Sequence, residues 1–144
     1  MTKIILKLWM PVMAFMAITG MGQMPIFKRY YVADIPGLAW LGEPFTVHWA
    51  HYIGAAALMF IIAWLVTLWF AKQPKLTGSG KIRIVLLGLI IGTGYVRVIK
   101  NLPDIHFSPT VTMLIDWTHL LFAMLLGIAA LWSARTGRKA YIKR

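Results

Sequence analysis

Few side chains in this chain can do chemistry, and their placement is unusual. Its 144 residues hold four histidines, four carboxylates and no cysteine. His48, His51 and His119 lie in long apolar runs, and Asp116 stands three residues before His119. Ionisable groups in such runs are costly to bury in hydrocarbon, so their presence points to function. A neutral imidazole can ligate a metal through one nitrogen while the other donates a hydrogen bond. His48 and His51, three residues apart, share roughly one helix face and sit about 4.5 Å apart along the axis, so they cannot clasp one iron from opposite sides. One of them needs a partner from another segment. His119 is the only other histidine plainly inside an apolar run.

Four apolar runs must position these groups. They extend from about Leu8 to Met24, Thr46 to Phe70, Ile82 to Val98 and Thr110 to Trp132, each near the roughly 20 residues that cross a bilayer core. A chain that is 60% hydrophobic, with a mean hydropathy of +0.73, cannot make a soluble surface. The expectation is an all-α, integral membrane four-helix bundle, up-down-up-down, forming one domain over residues 1–144. The first run follows Lys3 and Lys7, but Met21, Gly22 and Gln23 make a poor cleavage site, so it reads as a retained helix. The formal charge of +11 does not mark a nucleic-acid binder, because the basic residues flank the apolar runs instead of forming a basic face. Lys3, Lys7, Lys72, Lys75, Lys81, Arg83, Arg135, Arg138, Lys139, Lys143 and Arg144 share one side, and Lys28, Arg29, Arg97 and Lys100 the other. The positive-inside rule then predicts a multi-pass protein of a bacterial inner membrane. Both termini and the Lys72–Lys81 loop are cytoplasmic, and the Asp34, Glu43 and Asp104 loops face outward. That central loop, with Gly78, Ser79 and Gly80, reads as a plain turn.

In this orientation His51 lies about six residues into the second run and His119 about ten into the fourth, both in the outer half of the bilayer. They are level enough to share a ligand. The predicted cofactor is one b-type haem held by His51 and His119. His48, nearer the interface, is placed to hydrogen-bond a propionate, a partner subunit or water. A zinc site on His48 and His51 is poorly provided for, since catalytic zinc takes three protein ligands and carboxylates are scarce. The lack of a Cys-x-x-Cys-His motif excludes c-type attachment, and the lack of cysteine excludes an iron–sulfur cluster held by this chain. Arg97 and Lys100, with Lys28 and Arg29, stand where propionates would point, or where cations snorkel to the interface. Asp116 is placed to orient an imidazole, accept a quinol proton or pair with one of these cations. With His106 and Asp104 it completes the titratable groups available to a quinone site.

An internal repeat runs through the chain. Ile18-Thr19-Gly20 and then Pro25 precede His51, and Gly92-Thr93-Gly94 and then Pro103 precede His119. Repeats of this kind often put a binding site at their interface, here between the second and fourth runs. Thr-Gly pairs are also common wherever membrane helices pack closely.

The order "LWMPVMAFMAITGMGQMP", "VHWAHYIGAAALMF", "GTGYVRVIKNLP", "DWTHLLFAMLLGIAALW" resembles the cytochrome b (gamma) subunit of membrane-bound respiratory formate dehydrogenases and related bacterial transmembrane cytochromes b. The likeness covers nearly the whole chain. It implies four helices, two haems and a quinone reduced near the inner one. His51, followed by Gly54, stands for the family's second-helix ligand and His119 for its first fourth-helix ligand. Trp9 matches the family's His-Trp opening, but Leu8 replaces the histidine. No histidine lies between Leu126 and Ser133, where the other fourth-helix ligand would fall. The resemblance therefore implies that only the outer haem is retained. Such a subunit transfers electrons for a larger oxidoreductase and is not a free-standing enzyme; its partners are a periplasm-facing iron–sulfur or cytochrome subunit, quinone and membrane lipid. Two other classes stay open at this point: a haem-free membrane anchor that binds quinone, and a small transporter or assembly factor.

Overall fold

The structure, a computed structural model, describes residues 2–24, 34–138 and 140–142. Its helices are α1 (Thr2–Gly22), α2 (Pro44–Lys72), α3 (Gly78–Ile99) and α4 (Pro109–Arg135), with a 3-10 turn at Ala39–Gly42 before α2. Among the described residues the only β-type pairing is an isolated bridge between Leu76 and Ile142. The fold class is all-α. Helices α2, α3 and α4 are each long and apolar enough to cross a membrane, which marks a membrane protein. Helix α1 has 21 residues and contains Pro11.

Each helix start has a local cause. Pro44 and Pro109 occupy first-turn positions, where an amide N–H would have no helical acceptor. Thr77 Oγ1 accepts the Gly80 N–H at 2.9 Å, and Ser108 Oγ accepts the Val111 N–H at 3.4 Å. Helix α2 ends at Gln73, which turns left-handed at φ 41° and donates its N–H to the Trp69 carbonyl. Helices α2, α3 and α4 overrun their apolar runs at both ends, and α1 begins at Thr2 and stops at Gly22, short of Met24. An apolar run measures the thickness of hydrocarbon, whereas the backbone stays helical until a cap satisfies its last groups. The central turn is corrected accordingly. Gly78, Ser79 and Gly80 form the first turn of α3 under the Thr77 cap, so the connection from α2 shrinks to residues 73–77.

The chain divides into two compact units, residues 1–73 and 74–144. In the first, α1 and α2 run antiparallel with the 3-10 turn at their joined end. A Cβ on Gly54 would lie 2.8 Å from Met16 Sδ and 2.9 Å from Phe15 Cδ1, so only glycine admits this closeness of α1 to α2. Gly22 similarly accommodates the buried Leu41 and Val47.

In the second unit α3 and α4 form another antiparallel hairpin, and the segment after α4 folds back over the start of α3 as a strap. Thr77 N–H donates to the Tyr141 carbonyl at 2.9 Å, Thr77 Oγ1 to the Ala140 carbonyl at 2.8 Å and Ser79 Oγ to the Arg138 carbonyl at 2.9 Å. Arg83 lies beneath, only 6% exposed. It donates to the carbonyls of Ser79, Arg138 and Ala140, and its guanidinium stacks 3.9 Å from the Tyr141 ring centroid.

Candidate functional site

Each hairpin presents one histidine in the same way. In the first, the Thr19 hydroxyl lies 2.9 Å from His51 Nδ1; in the second, the Thr93 hydroxyl lies 3.0 Å from His119 Nδ1. The glycine after each threonine lets the imidazole rest against the helix. A Cβ on Gly20 would meet His51 Cε1 at 3.4 Å, and one on Gly94 would meet His119 Cε1 at 3.1 Å. The Thr-Gly repeat seen in the sequence is thus a repeated contact.

The hydrogen bonds assign the tautomers. Thr19 Oγ1 lies 2.8 Å from the Phe15 carbonyl oxygen, and Thr93 Oγ1 lies 2.8 Å from that of Leu89. Two oxygens so close need a proton between them, and the hydroxyl is the only donor of the two. The hydroxyl proton is thereby committed to the carbonyl, so the threonine oxygen accepts from Nδ1–H. In a neutral imidazole with Nδ1–H so engaged, Nε2 carries the lone pair, as a metal ligand requires.

One helical turn nearer the starts of α2 and α4 the two hairpins differ. His48 occupies the position three before His51, and its ring packs 4.4 Å from that of Tyr52. The matching position before His119 is Asp116. Its Oδ1 accepts from Arg97 Nε and Lys100 Nζ, both at 2.8 Å, and its Oδ2 accepts from Lys100 Nζ at 2.7 Å. Of the roles open to Asp116, pairing with cations is the one seen, and it takes two of them. Two cations on one carboxylate leave a surplus positive charge beside His119.

Comparison of the chain with protein-family models, with curated proteins and with solved structures finds no match.

The remaining expected groups lie apart. His106 and Asp104 are exposed on the loop after α3, and no described hydrogen bond or ion pair joins either to Asp116. Lys28, Arg29 and Pro25 fall outside the described residues. The repeat singles out Thr19 and Thr93 in the sequence but not their contact with the histidines; its signal is that each Thr-Gly pair is followed in the next apolar run by one deeply placed histidine. Arg83, one of the flanking cations in the sequence, has a buried role under the strap.

Proposed function

We propose that this chain is the b-type cytochrome subunit of a respiratory oxidoreductase in a bacterial inner membrane, with one haem b ligated by Nε2 of His51 and Nε2 of His119. The observation that supports this reading is the matched presentation of two imidazoles, one per hairpin, each with Nδ1 within hydrogen-bond distance of a threonine hydroxyl. Imidazole pairs of this kind suit haem iron, and no thiolate competes with them. Haem at this position supplies a one-electron couple between a periplasm-facing iron–sulfur or cytochrome subunit and the quinone pool.

The chain's own groups do the rest. His51 and His119 would offer Nε2 to the iron, each oriented by its threonine. Arg97 and Lys100, with their surplus charge, offer a counter-charge to propionates, and His48 offers a hydrogen bond from the first hairpin. Both carboxylate oxygens of Asp116 are engaged by these cations. His106 and Asp104, exposed in the loop after α3, and Asp116 are the groups proposed to exchange protons with a quinone near the outer leaflet. The reading includes four spanning helices in up-down-up-down order with both termini cytoplasmic.

The test is the optical spectrum of the purified complex, with a pyridine haemochrome count per copy of this chain. One haem is expected. His51→Ala and His119→Ala should each abolish the b-type bands while the protein still inserts, and His48→Ala should keep them. Loss of the bands in His48→Ala with a normal spectrum in His51→Ala would reverse the assignment on α2. No haem band in the wild-type complex would reject the reading.

A further inference from the structure

We infer that Thr19 and Thr93 are positioning residues, which fix the tautomer of His51 and His119 and make the nitrogen offered to the metal more basic. The tautomer assignment stands on this chain's hydrogen bonds alone; the effect on the metal rests on the haem reading.

Back-bonding to a carbonyl four residues earlier is a common habit of helical threonines. In this chain Thr67, Thr118 and Thr136 do it too, with Ala63, Leu114 and Trp132. Only Thr19 and Thr93, among the described residues, continue the chain of hydrogen bonds to a histidine. The two share a three-part relay: carbonyl, hydroxyl, imidazole N–H. A hydroxyl that has given its proton to a carbonyl becomes a stronger acceptor, and the effect grows at low dielectric. Pulling on Nδ1–H enriches the electron density at Nε2, which strengthens the bond to oxidised iron most. Thr19 has no solvent exposure, so its hydroxyl has no water to exchange for the imidazole.

Packing is the competing explanation, and threonine allows it to be separated. Valine keeps the shape of threonine and removes the relay, whereas serine keeps the relay and removes a methyl group. If the residue only filled space, valine would serve and serine would not.

The test uses the full chain in lipid vesicles with 15N-labelled histidine, followed by haem titration and redox potentiometry of the loaded protein. Before haem is added, solid-state NMR should find His51 and His119 as Nδ1–H tautomers. Thr19→Val and Thr93→Val should each shift their own histidine toward the Nε2–H form, weaken haem binding about 10- to 100-fold and raise the reduction potential. Thr19→Ser and Thr93→Ser should restore all three. Nε2–H tautomers in the wild type, or valine variants with unchanged tautomer and potential, would overturn the inference. Wild-type protein that shows Nδ1–H tautomers yet takes up no haem upholds the role of the threonines in fixing the tautomer, while overturning the haem reading and the effect on the metal that depends on it.

Discussion

Gly20 and Gly94 hold equivalent places beside the two imidazoles, but the space they leave is unequal. Alanine is the better helix former by about 1 kcal/mol, so replacing a helical glycine is favourable unless the new methyl group meets something. At Gly20 it would make an ordinary contact, 3.4 Å from His51 Cε1. Gly20→Ala should leave stability equal or higher and His51 undisturbed. At Gly94 the distance is 3.1 Å, and the ring cannot retreat without lengthening its bond to Thr93. Gly94→Ala should therefore loosen His119, seen as a change in its 15N resonances and in haem affinity with helix content kept. Equal responses of the two variants would mean that the rings are not held as described. The histidines themselves were legible in the sequence, because the cost of placing an imidazole in an apolar run singles each one out. Their threonine partners were not, since a chain of letters does not say which of several back-bonded hydroxyls faces a neighbouring helix.

Helices meet in this protein where a side chain is missing. Gly54 lies against Met16 and Phe15, and a branched residue there should drive α1 from α2. Gly54→Val is expected to cost about 1–3 kcal/mol, measured by thermal unfolding in detergent. At the start of α3 the obstacle is backbone, not a movable side chain. A Cβ on Gly80 would stand 2.5 Å from the Tyr141 carbonyl oxygen and 2.9 Å from its Cα. Gly80→Ala should lift the strap and leave Arg83 without its Arg138 and Ala140 carbonyl acceptors, a loss of about 2 kcal/mol, with faster tryptic cleavage after Arg138. Cleavage at the wild-type rate would show that the strap does not depend on this close approach. The helices could be located from their apolar runs, but their ends could not. Gly78, Ser79 and Gly80 have the composition of a turn, and it takes the Thr77 cap and the strap above them to make them helical.

The whole chain is a repeat of two hairpins that share one histidine presentation and differ in charge. The strap ties the segment after α4 to the start of α3, so these parts lie on one side of any membrane the hairpin crosses. Eleven of the fifteen cations fall on that side in the proposed topology. Reporter fusions in residues 73–77 and after residue 142 should both report the cytoplasm, and fusions in the loops after α1 and α3 the periplasm. A cytoplasmic signal from the loop after α3 would overturn the up-down order. The repeat was visible in the sequence as spacing alone; its chemical sense came from distances between helices, which no spacing contains.

In the proposed topology Arg83 acts at two different times. While α3 is being threaded into the bilayer, its guanidinium would be one of the positive charges that hold the helix start back. Ala140, one of the groups that later accept its hydrogen bonds, is made 57 residues afterwards. Only then can the carbonyls and the Tyr141 ring close over it. In that topology an orienting charge would be used during synthesis and sealed away once the hairpin is complete: insertion would proceed with Arg83 open, and reversal would first have to uncover it.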